Sequence, residues 1–143
     1  MRTMGYAAMG WTGLYVVSKV FFALEGRLGV TGGPHVSPES YQGYGPGEVA
    51  SAQWANAGSG LLIIVFLLAA QVRFDRCWPR VVLLVLLWLC TAMATAGAVG
   101  MLGGALLTDR GGAVFGGYCA VWAVLLFLAT RALQRRLEHA IAG

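Results

Sequence analysis

Charge is scarce in this 143-residue chain: 11% of residues are Asp, Glu, Lys or Arg, against 58% hydrophobic. With a mean hydropathy of +0.70, that balance excludes an ordinary soluble domain. Cysteine is sparse as well. Cys77, Cys90 and Cys119 form no CxxC pair, which argues against the vicinal thiols of a membrane disulfide relay and leaves buried Cys as a small apolar residue. Histidine occurs twice, at His35 on a Gly-Gly-Pro turn and at His139 in the C-terminal tail, too sparsely for a convergent metal site. Neither a metal nor a cofactor is expected. Lysine occurs once, and Lys19 lies inside the first hydrophobic segment with Glu25 and Arg27 just behind it. An ammonium there costs several kcal/mol unless paired, hydrated or able to snorkel, so this region is the first candidate for function.

What the chain does have is four apolar runs, roughly 5–25, 52–72, 81–103 and 113–130, each about the ~20 residues that cross ~30 Å of hydrocarbon. They predict an all-α polytopic membrane protein, one domain over 1–143. The four helices are expected at about 5–26, 51–72, 80–103 and 113–133, with a loop at 28–49. The first run is too long for a signal-peptide core and no clear A-x-A site follows it, so it reads as a retained helix. Arg2, Arg73, Arg76, Arg80, Arg131, Arg135 and Arg136 would share one side of the membrane, against Arg27 and Arg110 on the other. The positive-inside rule then places both termini in the cytoplasm of a plasma (bacterial inner) membrane, with the lipid bilayer as partner of the basic residues and no role for nucleic acid.

The Arg73–Arg80 connection reads as a tight turn that would make the second and third helices antiparallel neighbours, and Pro79 suits a helix start. The 28–49 loop, with Gly32-Gly33-Pro34, Ser37-Pro38 and Gly43-Tyr-Gly-Pro-Gly47, carries turn signals only and is expected to fold over the bundle as a cap. The tail after Arg131 continues the fourth helix as an amphipathic stub. Ala92, Ala96, Gly100 and Gly104 recur every fourth residue. Such a stripe permits close backbone approach, either between the third and fourth helices or at a homo-oligomer seam.

Polar residues gather in the outer halves of the helices. Tyr15 and Lys19 in the first, Gln53, Trp54 and Asn56 in the second, and Tyr118 and Trp122 in the fourth are the candidate ligand-binding residues of an outward-facing cup with an apolar floor. Lys19 is expected to point inward toward Gln53, Asn56 or Glu48. The leading functional expectation is binding or transport of a lipophilic or amphipathic small molecule. The alternative is an intramembrane isomerase, cyclase or hydrolase, with Glu25 or Glu48 as general acid or base and Lys19 or Tyr118 stabilising developing charge. A third is an accessory subunit docking through its Ala/Gly stripe.

The stretch Lys19-Val-Phe-Phe-Ala-Leu-Glu-Gly-Arg-Leu-Gly29, with Gly45-Pro-Gly-Glu48 and Ala52-Gln-Trp-Ala-Asn56, resembles a group of small four-helix actinobacterial membrane proteins of unknown function. The resemblance covers about the first half and implies a fold and a setting, not a mechanism.

Overall fold

The computed structural model describes residues 2–72, 77–108 and 112–142, with side chains for 3–72, 78–108 and 112–139. Arg73, Arg76, Asp109, Arg110 and the side chains of Arg2 and Cys77 lie outside that set, so the second-to-third turn and the third-to-fourth connection are described only at their edges. The protein is a four-helix bundle: α1 (Arg2–Leu24), α2 (Glu48–Ala69), α3 (Cys77–Leu107) and α4 (Ala113–Ala142), with a 3-10 turn at Pro38–Tyr41. Each helix is long and apolar enough to span a membrane. The bundle has a loop end, where residues 25–47 sit, and a turn end, which carries the termini of α1 and α4.

Helix boundaries follow local chemistry rather than hydropathy. α1 stops at Leu24 because Gly26 takes φ +63°, its N–H bonding Ala23 O at 3.2 Å while Arg27 N–H bonds Phe22 O at 3.0 Å. This paired 5→2 and 6→1 pattern is a Schellman cap. α2 begins earlier than expected, because Gly47 caps it and Glu48 supplies an acidic first turn. α4 runs on to Ala142, burying Leu133 and Leu137 one and two turns past the apolar run.

Most buried positions are spaced by threes and fours: Gly5, Ala8, Thr12, Val16, Lys19 and Ala23 on α1, with Met9 and Ser18 beside that row, and Gln53, Ala57, Gly60 and Leu67 on α2. On α3 they are Leu83, Leu87, Cys90, Ala94 and Ala98, with Thr91 beside them; on α4 they are Gly116, Cys119, Trp122, Leu126, Thr130, Leu133 and Leu137. This near-heptad spacing keeps one stripe of each helix against its neighbours. α1 packs closely along α2 and α3 along α4, whereas α2 and α3, though consecutive, touch sparingly. The α1–α2 seam is tight at Gly60, where a Cβ would lie 2.6 Å from a Val16 methyl.

One expectation is corrected here. Ala92, Ala96 and Gly100 do not form the α3–α4 seam; they lie exposed, and Gly104 is half-buried. The seam is the neighbouring row through Ala94 and Ala98, with Gly116 of α4 against Leu102. A strict period of four drifts around the helix, whereas the packed row Leu83, Leu87, Cys90, Ala94 and Ala98 includes a step of three that brings it back.

Candidate functional site

The first seven residues after Leu28 form a strap that is held to the bundle at four points. Lys19 Nζ donates to Gly29 O at 2.8 Å, and Gln53 Nε2 donates to both Gly29 O (3.1 Å) and Arg27 O (2.9 Å). Ser18 Oγ accepts from Thr31 N at 2.8 Å and lies 2.9 Å from the Thr31 hydroxyl. Phe115 N, in the first turn of α4, donates to Gly32 O at 3.1 Å. Tyr41 Oη, from the 3-10 turn, accepts from Leu28 N at 3.1 Å. The strap can take this path because Gly29 adopts φ +137°, where a Cβ would also sit 3.0 Å from the Phe22 ring. From 35 to 47 the loop is largely exposed, with Val36, Ser37 and Tyr41 half-buried. Only its first part caps the bundle.

Lys19 therefore points inward, 9% exposed, but its partner is a backbone carbonyl rather than a carboxylate or amide side chain. Its ammonium also lies 5.6 Å from the Tyr15 ring centroid, within cation–π range. Gln53 is 1% exposed, and its Oε1 accepts no hydrogen bond within the described structure. Lys19 and Gln53 thus converge on one acceptor, Gly29 O, from two helices.

Beneath the strap, α1 and α4 meet through aromatic rings. Trp11 stacks on Tyr118 with centroids 4.9 Å apart, and Phe115 also stacks on Tyr118, at 5.9 Å. Tyr15 packs on Trp122 at 5.1 Å. Hydrogen bonds cross the same seam: Trp11 Nε1 donates to Tyr118 O (3.2 Å), Tyr118 Oη to Trp11 O, and Trp122 Nε1 to Thr12 Oγ1 (2.9 Å). With Trp11 Nε1, Tyr118 Oη and Trp122 Nε1 internally paired, this wall presents mainly ring faces.

Beside it lies a cavity of about 440 Å³, lined by Leu14, Tyr15, Val17, Ser18 and Phe21 of α1, Val30 and Thr31 of the strap, and Phe115 and Tyr118 of α4. Leu14, Val17 and Phe21 are more than half exposed, so the cavity opens sideways, on the surface that would face lipid, rather than through the loop end. Its polar lining comes from the Ser18 and Thr31 hydroxyls and the two tyrosines.

No family model, curated protein or solved structure matches this chain.

The structure brings some of the sequence-selected residues together and separates others. Tyr15 and Tyr118 line the cavity, and Trp122 backs its wall from a buried position. Lys19 and Gln53 hold its roof through Gly29 without lining it. Trp54 and Asn56 are exposed on the far side of α2. Glu25 pairs with Arg27 at 3.3 Å on the surface, and exposed Glu48 accepts from Gly45 N at 2.7 Å at the start of its own helix. Neither carboxylate lines the cavity, and the open polar cup expected between the helices is not formed by these residues. Among the described residues no three His, Cys, Asp or Glu side chains cluster as metal ligands.

Sequence reasoning missed Ser18, Thr31, Phe21 and Phe115 as a set. Ser18 one residue before Lys19 was visible, but Thr31 reaches it only because two glycines bend the chain back after α1.

Proposed function

We propose that this protein binds a neutral, mainly apolar small molecule drawn laterally from the bilayer into the α1–α4 cavity. The observation that carries this reading is the 440 Å³ cavity with ring-faced walls and a side opening among Leu14, Val17 and Phe21. Its volume falls in the usual ~300–1,000 Å³ range of small-molecule sites. A ligand with rings or unsaturated chains would stack on Phe115 and Tyr118, and one hydroxyl or carbonyl would reach the Ser18–Thr31 pair. A charged head group finds no free counter-charge in the lining. Nothing in the lining supplies a general base, so the reading is binding or passage rather than conversion.

The test is titration of purified protein in micelles with a fluorescent long-chain alcohol, and with the same chain ending in a carboxylate. We expect saturable binding of the alcohol, weaker binding of the acid, and a loss of about tenfold in Val17→Trp, which fills the mouth, equivalent to ~1.4 kcal/mol. Equal binding by the wild type and Val17→Trp would remove this reading.

The same proposal sets the loop end outside the cytoplasm, supported by the arginines at the turn end, where Arg80, Arg131, Arg135 and Arg136 oppose Arg27 alone among the described residues. In a Cys77→Ser background, with Cys90 and Cys119 buried, Ser40→Cys is expected to react with an impermeant maleimide in intact cells. His139→Cys is expected to react only after permeabilisation. The reverse pattern would invert the topology.

A further inference from the structure

The turn end of α4 carries a separate cavity of about 160 Å³, lined by Phe127, Leu128, Arg131, Ala132 and Arg135. Positions 127, 131 and 135 form one row on the helix and 128 and 132 the next, because side chains four apart lie one above the other. Ala132 is the small member, so a notch opens beside two guanidinium groups, with an apolar floor toward the middle of the bundle. Phe127 is 43% and Leu128 41% exposed, so no other helix covers that floor. Trp88 of α3 supports it from the side, edge-on to Phe127 with centroids 5.7 Å apart.

The charges of this end are distributed unevenly. Arg131 Nη1 donates to Gln134 Oε1 at 3.1 Å, and Gln134 Nε2 donates to Glu138 Oε1 at 3.0 Å, so glutamine intervenes between the arginine and the nearby acid. Arg135 has no hydrogen-bond or carboxylate partner among the described residues. Arg136 lies on another side of α4, lining a small cleft with Gly5 and Gln71. The two-part chemistry of the notch, planar cations above a lipid-level apolar floor, matches a phosphodiester with an acyl chain attached.

We propose that this face of α4 is a binding site for an acidic phospholipid, its phosphate held between Arg131 and Arg135 and one acyl chain lying along Phe127 and Leu128. A zwitterionic lipid presents the same phosphate, but its own cation competes with the arginines, so the site discriminates by net head-group charge. The site is independent of the α1–α4 cavity and rests only on the helices crossing a bilayer.

The test is native mass spectrometry of the full chain in neutral detergent, with phosphatidylglycerol and phosphatidylcholine of identical chains in equal amounts. The wild type is expected to retain phosphatidylglycerol about tenfold better, at roughly fivefold or less per arginine. Arg135→Gln alone, at an exposed position, should remove most of that preference, and Arg131→Gln/Arg135→Gln all of it. Arg136→Gln should keep it. Equal retention of the two lipids by the wild type would overturn the proposal. So would an equal loss in Arg136→Gln, which would mean a diffuse basic surface. Full displacement of phosphatidylglycerol by millimolar inorganic phosphate would reduce the site to a bare anion site and overturn the acyl contact.

Discussion

Removing Lys19 and Gln53 together should destabilise the protein by more than the two single losses combined. Both side chains donate to Gly29 O, at 2.8 and 3.1 Å, so either one alone leaves that carbonyl satisfied. Lys19→Met loses a charge-assisted hydrogen bond, about 1.5–3 kcal/mol, but also removes the desolvation cost of a nearly buried ammonium, which is of the same size or larger. Its net effect should be small, within about 1 kcal/mol. Gln53→Leu leaves Arg27 O without its side-chain donor while removing an Oε1 that accepts no hydrogen bond, for a net loss of about 1–2 kcal/mol. In the double variant Gly29 O and Arg27 O both lose their side-chain donors, and each unsatisfied group costs about 1–3 kcal/mol. The expected total is about 4 kcal/mol, with at least ~1 kcal/mol of coupling in the double-mutant cycle. Thermal midpoints of the four proteins in one detergent provide the measurement. Strict additivity would show that the two donors do not share an acceptor. The double variant should also bind the lipophilic probe poorly, because the strap that supplies Val30 and Thr31 to the cavity is no longer clamped.

This redundancy explains what the sequence made legible and what it did not. The four helices were readable because ~20-residue apolar runs have few other uses. Lys19 was readable because an isolated ammonium in such a run demands an explanation. Its partner was not readable, since Gly29 reaches it through the left-handed geometry of Gly26 and Gly29, and a backbone carbonyl carries no residue-type signal. On α2, Gln53 and Asn56 are three residues apart, a spacing that suggests one shared face. The packed stripe is instead Gln53, Ala57 and Gly60, and the small residues Ala57 and Gly60 were the available clue to which side meets α1. Asn56 and Trp54 fall off that stripe. The cavity was out of reach of a helical wheel, because it exists where the strap, α1 and α4 fail to fill the space between them.

The α3–α4 seam provides the other large effect. Gly116→Val should cost about 3 kcal/mol or more, while Gly100→Val should change stability by less than ~0.5 kcal/mol. A Cβ on Gly116 would lie 2.8 Å from Leu102 Cγ and 3.0 Å from its backbone N. The side chain could turn away, but the amide belongs to a helix and cannot yield without parting α3 from α4. The two branches of valine add further overlap in a seam that also holds Cys119, Ala94 and Ala98. At Gly100 a Cβ would meet nothing within 4 Å, and valine's small loss in helix propensity relative to alanine is set against glycine's larger one. The comparison also decides between the two rows of small residues on α3. If Gly100→Val were the damaging change and the monomer's helicity fell with it, the packed row would be Ala92–Gly100 and the seam through Ala94 and Ala98 would be wrong. If instead Gly100→Val left helicity and thermal midpoint intact but lowered the mass of the particle in micelles, the exposed stripe would be a seam between copies of this chain. An unchanged mass would leave that face to lipid, where small residues cost little and exclude nothing.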